Sequence, residues 1–223
     1  RTRAAFFVSC TQACSFGVHS PVVSTSTRRD AVENRAGILS AATAAIGHDP
    51  RASIDTIARR AGLSRRALYG HFDDRSAIVR EVIAAGAARF NAIAADIDDA
   101  DSRVALARLA SELWREAAHV QAAAALALDD AHLPETSAAL APLRRRIDQI
   151  VRRGQEAGEL RTDLPAPTLS RLLEETGRTV VSRVDAESST AREIAVCAVL
   201  GIAGLSWTEA RRLLAQPPEL ATS

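Results

Sequence analysis

Basic side chains are concentrated in one short stretch of this sequence, residues 51–75. The stretch carries a local charge of +3, whereas the whole chain has a net charge of +1, so the rest of the chain sums to −2. Such a local charge can neutralise phosphates, and an arginine can also donate two hydrogen bonds to a base edge. The chemistry indicated is nucleic-acid binding, and the alternative is a solvated charged face on an ordinary helical hairpin. The arginines concerned are Arg51, Arg59, Arg60, Arg65, Arg66 and Arg75.

Two short helices joined by a tight turn would position these side chains. Ser53 is a suitable N-cap for the first helix, and Gly62 can end it because glycine readily adopts a positive φ. Ser64 is a suitable cap for the second helix, which is predicted from Arg65 to about Phe72. The pattern predicts a helix-turn-helix, whose second helix presents polar and basic side chains to the major groove. An apolar stripe on the first helix would brace the second, through Ile54, Ile57, Ala58 and Ala61.

The same residues resemble the signature of the TetR family of repressors. The likeness lies in residues 53–64, in Leu68-Tyr69-Gly70-His71-Phe72 and in Arg75. It is strong over about residues 30–83 and weaker but consistent over the remainder, including Gly-Glu-Leu-Arg-x-Asp-Leu at residues 158–164. The resemblance implies a sequence-specific transcriptional regulator that binds double-stranded DNA at a palindromic operator.

The resemblance also implies individual DNA contacts. It places phosphate contacts at Ser53, Tyr69, His71 and Arg75, and base reading at Arg65, Arg66, Ala67 and Gly70. The residue at position 75 is usually lysine in the family, and position 70 often carries a larger side chain, so we expect fewer bases to be read there. The alternative for Tyr69 is a half-buried core aromatic. His71 is not predicted to be catalytic, because no nucleophile or carboxylate is patterned beside it.

Helical periodicity continues through the rest of the chain, and no strand-like alternation interrupts it. The predicted fold class is therefore all-α with about nine helices: an N-terminal three-helix DNA-binding unit, then a larger effector-binding and dimerisation domain. The predicted domains are a disordered extension at 1–27, the DNA-binding domain at 28–75, the regulatory domain at 76–216 and a tail at 217–223. The later helices include a short sixth at Leu126 and Leu128 before Pro134, a seventh from Leu140 to Gly158, and a single ninth over residues 191–214.

Two features of the larger domain are implied by the resemblance. Helices 5–7 would surround a pocket for a small hydrophobic effector, with Trp114 and His119 as candidate ligand-binding residues; the alternative is that both pack in the core. Residues 166–214 would form the homodimer interface, in which the small residues from Cys197 to Gly204 permit close helix approach. Close packing within one subunit is the alternative for that segment.

The predicted function is a repressor released from DNA by its effector, acting in the cytoplasm. An architectural or division-type DNA-binding protein without an effector is the alternative. A helical enzyme is disfavoured, because the sequence has no paired carboxylates, nucleophile motif or glycine-rich phosphate loop. No catalytic residue, metal site or cofactor is predicted, and no apolar run reaches the ~20 residues that span a membrane. Asp129, Asp130 and His132 are interpreted as solvated loop residues.

Overall fold

A computed structural model describes residues 25–118, 132–185 and 187–215, with side chains described from residue 35 onward. Every regular element in these ranges is an α-helix, which confirms the all-α prediction. Residues 1–24 of the predicted extension at 1–27, the sixth element at Leu126 and Leu128, and the tail from 217 lie outside the described residues, whereas residues 25–27 belong to the first helix. The helices are α1 Thr25–His48, α2 Ile54–Arg60, α3 Arg65–Tyr69, α4 Arg75–Ala95, α5 Ser102–Ala118, α6 Leu133–Ala139, α7 Ala141–Glu156, α8 Ala166–Arg183, α9 Ala191–Ile202 and α10 Trp207–Ala215.

The N-terminal unit has its own core, formed by α1, α2, α3 and the first half of α4. Its centre consists of apolar side chains that are almost fully buried: Ile38, Ala42, Ile46, Ile57, Leu68, Ile78 and Val79. The helices begin where the caps predict. The Oγ of Ser53 accepts from the Thr56 amide at 3.2 Å, and the Oγ of Ser64 accepts from the Ala67 amide at 3.1 Å. Gly62 has a φ of +69°, so the turn between α2 and α3 uses the conformation expected of a glycine.

The recognition helix is shorter than predicted. It ends at Tyr69 rather than near Phe72: the Gly70 amide is shared between the Arg66 and Ala67 carbonyls, and the amides of His71 and Phe72 both bond to the Leu68 carbonyl. This tightened turn places His71 and Phe72 at the junction with α4 rather than on α3.

The larger domain surrounds a second core, to which α4, α5, α7, α8 and α9 contribute. Its most buried large side chains are Ile97, Leu106, Ile150, Val151, Leu169 and Leu200. Helix α4 belongs to both cores, since Ile78 and Val79 lie in the first and Ala94 lies in the second. The two cores are therefore joined by one continuous helix.

The prediction of one helix over residues 191–214 is wrong. Helix α9 ends at Ile202 and α10 begins at Trp207, and between them Gly204 has a φ of +105°. The break is accompanied by a contact from outside the segment: the Arg161 amide donates to the Ala203 carbonyl at 3.0 Å. A Cβ on Gly204 would lie 2.8 Å from the Cβ of Arg161, so glycine is required there.

Helix α6 is an element that the sequence pattern does not predict. The pattern makes Pro134 a boundary before the next helix, but Pro134 lies in the first turn of α6. Proline is compatible with a helix at that point, because the first amides need no intrahelical partner. Leu140 separates α6 from α7. Among the described residues, no helix is long and apolar enough to cross a bilayer.

Candidate functional site

Helix α3 presents most of its side chains to solvent. It buries Leu68 against the first core, while Arg65, Arg66, Ala67 and Tyr69 are exposed. Tyr69 is 43% exposed and does not belong to the core cluster of the N-terminal unit. The exposed face of this short, capped helix can therefore enter a DNA groove while Leu68 stays packed in the core of the N-terminal unit.

The two arginines at the start of α3 differ in their contacts. Arg65 donates to the Asp55 carboxylate at 3.1 Å and to the Tyr69 hydroxyl at 3.4 Å, and it lies over the Tyr69 ring at 5.6 Å. The hydrogen bond to Tyr69, then the Asp55 charge, raises the pKa of Arg65 above its ordinary value. Within the described residues the Arg66 side chain makes no such contact and is exposed. Arg65 is thus held between α2 and α3, whereas Arg66 is free to reach outward.

Arg75 holds the loop between α1 and α2. Its guanidinium donates to the carbonyls of Ala52, at 2.9 Å, and Pro50. No sequence motif indicates this structural contact. The predicted phosphate contact would have to use the remaining donors of the same side chain.

Arg35 makes contacts between helices that the sequence analysis does not predict. It forms an ion pair with Glu81 on α4, with Nε to Oε2 at 3.0 Å, and donates to the His71 carbonyl at 2.8 Å. Its guanidinium also lies 4.3 Å from the centre of the Phe72 ring. One side chain therefore ties α1, the end of α3 and α4 together.

A cavity of about 170 Å³ lies in the larger domain. Its wall is mostly apolar and includes side chains from α4 to α9, among them Phe90, Leu106, Leu109, Leu113, Leu143, Ile147 and Leu173. The polar part of the lining comes from α6, α7 and α8, through Thr136, Ser137, Arg144, Glu174 and Arg178. Arg144 binds Glu174 at 3.0 Å and also donates to the carbonyl and hydroxyl of Ser137, at 3.0 and 2.9 Å. The arrangement can accept an apolar molecule with one polar end.

Trp114 packs beside this cavity and is not among its lining residues. It is buried against Val180, Ala191 and Ala195, of which Val180 and Ala195 also line the cavity. His119 lies outside the described residues.

Helix α4 contacts the cavity and the joint between α6 and α7. Phe90 lines the cavity. The next residue, Asn91, donates to the Ala139 carbonyl at 2.9 Å and accepts from the Leu143 amide at 3.1 Å. A change in the position of α6 or α7 would therefore act directly on the helix that begins beside α3.

Helices α8, α9 and α10 expose large apolar side chains. Leu172, Ile194 and Trp207 are 40%, 45% and 71% exposed. On α9, Ile194, Ala198 and Gly201 follow a spacing of four and three residues, which puts them on one side of the helix. Ala198 is partly buried against the Trp114 cluster, whereas a Cβ on Gly201 would have nothing within 4 Å, so the helix surface is open at Gly201.

In the described part of the chain, no group of three or more histidine, cysteine, aspartate or glutamate side chains could hold a metal ion. Cys197 is a free thiol there, and partial burial, then the charge of Glu193, raises its pKa.

Comparison with known proteins identifies the N-terminal unit. The family model described as "Bacterial regulatory proteins, tetR family" matches residues 38–82, which include α2, α3 and their caps. No curated protein sequence matches the chain.

Solved structures extend the similarity to the larger domain. FadR from Bacillus subtilis, in complex with stearoyl-CoA, has a TM-score of 0.65 at 16% identity, over 76% of this chain and 97% of that one. PfmR from Thermus thermophilus, a TetR family regulator, has a TM-score of 0.65 at 21% identity, over 74% and 96%. The ketosteroid regulator KstR2 of Mycobacterium tuberculosis has a TM-score of 0.62 at 22% identity, over 76% and 93%. At these identities the similarity establishes a shared fold.

Proposed function

We propose that this chain is a homodimeric repressor of the TetR type, released from its operator by a small apolar effector; the proposal proceeds from the match of residues 38–82 to the family model described as "Bacterial regulatory proteins, tetR family". The observation that carries the proposal is that one helix, α4, connects the exposed basic helix α3 to an apolar cavity. Since chromosomal DNA is the target, its place of action is the cytoplasm.

The DNA contacts divide into two groups in this proposal. Arg66 reads a base edge, with Ala67 and Gly70 lying close to the groove floor. Ser53, Tyr69, His71 and Arg75 contact phosphates, and Arg65 contributes by holding the Tyr69 hydroxyl in position. The contacts of Arg65 with Asp55 and Tyr69 support this division, because they orient its side chain along the surface of α2 and α3, whereas Arg66 has no such partner among the described residues.

The cavity favours an effector-controlled regulator over an architectural protein on the same fold, which would be expected to fill its core. The FadR structure contains stearoyl-CoA, and KstR2 is described as a ketosteroid transcriptional regulator, which supports an effector with a large apolar part. Effector binding would move Phe90 and the α6–α7 joint that Asn91 bridges, and α4 would pass that movement to α3. A ligand achieves this only by binding one arrangement better than the other.

The dimer would form through the exposed faces of α8 and α9. A two-fold dimer reads a palindrome, with recognition helices about 34–36 Å apart. Trp114 shares Val180 and Ala195 with the cavity wall, so its fluorescence should change when the cavity is occupied, even without direct contact.

Selection of bound sequences from random duplex DNA tests this function. The enriched sites should share an inverted repeat whose half-sites are separated by about one helical turn. Titration of the selected operator at several salt concentrations should give a steep decrease in affinity as salt rises. Failure to enrich any sequence above the starting pool would contradict the proposal.

A further inference from the structure

The lining of the cavity contains one more positively charged side chain than negatively charged ones. Three charged side chains belong to the lining: Arg144, Glu174 and Arg178. Arg144 binds Glu174 at 3.0 Å, so these two charges neutralise each other. The lining is left with one cation in excess, that of Arg178.

Arg178 lies where the cavity meets solvent. Its side chain is 36% exposed, and the neighbouring Arg144 and Glu174 are 41% and 27% exposed. Within the described residues its guanidinium makes an ion pair with Glu175 at 3.4 Å, and that partner is half exposed and not part of the lining. An exposed ion pair of this kind contributes little free energy, so an anion arriving from the cavity side can replace it.

The backbone of α8 leaves open space at Gly177, the residue before Arg178. Gly177 lines the cavity immediately before Arg178, and a Cβ at that position would meet nothing within 4 Å. The planar fork of N–H donors on arginine matches the oxygens of a carboxylate or a phosphate. The apolar wall on the other side of the cavity suits a hydrocarbon or ring system.

We propose that the effector is an amphiphile whose apolar body fills the cavity and whose single anionic group binds Arg178 at its mouth. This inference rests on the proposed function and specifies the chemical class of the effector. Glu174 does not repel the anion, because Arg144 holds its carboxylate. A carboxylate and a phosphate share the required chemistry, and the test separates them.

Isothermal titration calorimetry of the full chain with decanoate, decyl phosphate and decanol tests this class. At least one of the two anions should bind about tenfold or more tightly than the alcohol, because only an anion forms a charge-assisted bond with arginine. In Arg178→Gln this preference should fall to within about threefold. Arg171→Gln, which changes an exposed arginine on the same helix, should keep the preference of the unmodified protein.

Gly177→Leu should abolish binding of all three compounds by filling the cavity, while its circular dichroism spectrum stays helical. If that variant does not fold, Gly177→Val is the smaller replacement. Decanol binding as tightly as both anions, an unchanged preference in Arg178→Gln, or no binding of either anion at millimolar concentration would overturn the inference.

Operator release is measured separately, by fluorescence anisotropy of labelled DNA. Release by the anion that binds supports both proposals. Anion binding without release supports the anionic site and counts against effector control. Release by decanol alone supports effector control and overturns the anionic group.

Discussion

Arg65 and Arg66 are adjacent in the sequence and identical in type, yet their surroundings differ. Both follow the Ser64 cap, so local spacing assigns both to the exposed start of α3 and cannot separate them. The difference arises because Asp55, ten residues earlier on α2, lies within hydrogen-bond distance of Arg65 and not of its neighbour. A contact between two helices is set by their packing, which the sequence pattern does not specify.

Replacing these arginines one at a time should produce two different losses. Arg66→Ala should relax the preference at one position of each half-site, since a bidentate arginine–guanine contact contributes roughly 1–3 kcal/mol of discrimination. Arg65→Ala should weaken binding about equally on all sequences, because Tyr69 loses its partner while no base contact is lost. Titrations on the selected operator and its single-base variants measure both. If Arg65→Ala changes base preference and Arg66→Ala does not, the assignment is reversed.

Arg35 shows which contacts local sequence patterns omit. The caps Ser53 and Ser64 and the turn at Gly62 could be predicted because each depends on residues within a few positions. The partners of Arg35 lie 36 and 46 positions away, so no short motif reveals them.

Arg35→Met should destabilise the N-terminal unit by about 1–2 kcal/mol, since the substitution removes charge-assisted hydrogen bonds to Glu81 and to the His71 carbonyl. The measurement is urea unfolding followed by circular dichroism. Arg80→Met changes an exposed arginine on α4 and should stay within about 0.5 kcal/mol of the unmodified protein. Equal stability of the two variants would show that the Arg35 contacts contribute nothing.

At the scale of the elements, most helices could be predicted because an apolar stripe and a stop signal lie within each segment. The two errors in the larger domain share a cause. The break between α9 and α10 is accompanied by a contact with the backbone of Arg161, which lies far away in the sequence, and α6 starts with a proline, a residue that can begin a helix as well as precede one. Neither is decided by the periodicity of the segment itself.

Gly154 on α7 marks a close approach between elements of the larger domain. A Cβ there would lie 2.6 Å from Leu160 and 2.8 Å from the side chain of Ser102, so Gly154→Ala should destabilise the protein by about 1–3 kcal/mol through overpacking. Gly86→Ala on α4 should instead stabilise it, by about 0.5–1 kcal/mol, since its Cβ would meet only the end of Arg89 at 4.0 Å. Thermal unfolding compares the two. A Gly154→Ala variant as stable as Gly86→Ala would contradict the packing described.

Asn91 should carry part of the communication between the cavity and α3. Asn91→Ala removes both hydrogen bonds to the α6–α7 joint, so the effect of an effector on operator affinity should fall severalfold while operator affinity without effector changes little. Anisotropy titrations of operator with and without effector measure the ratio. Arg80→Ala, on the same helix, should leave that ratio unchanged. A ratio unaltered in Asn91→Ala would show that α4 moves independently of this bridge.

At the scale of the whole molecule, the apolar face of α8 and α9 has a consequence for assembly. Gly201→Arg places a long charged side chain on the open side of α9, where a second copy would have to approach. We expect sedimentation to show a monomer for this variant and a dimer for the unmodified protein. Gly37→Arg, at another open glycine on α1, should remain dimeric. A dimer in both variants would place the interface elsewhere.

The division into two cores joined by α4 was predictable in outline, because the sequence shows both the helix-turn-helix segment and the long apolar stripe of the helix that follows it. The cavity was not. Its wall combines side chains from six helices, from Phe90 on α4 to Val199 on α9, and its existence depends on how those helices pack rather than on the content of any one.

If the two hydrogen bonds of Asn91 couple the cavity to the DNA-binding unit, the coupling acts in both directions. If effector binding in the cavity lowers the affinity for the operator by some factor, then operator binding must lower the affinity for the effector by the same factor. A dissociation constant for the effector that is measured on the protein without DNA will therefore overstate the sensitivity of the regulated genes to the effector. The effector concentration needed to release the operators would rise with the number of operator copies in the cell, even though no residue of the cavity has changed.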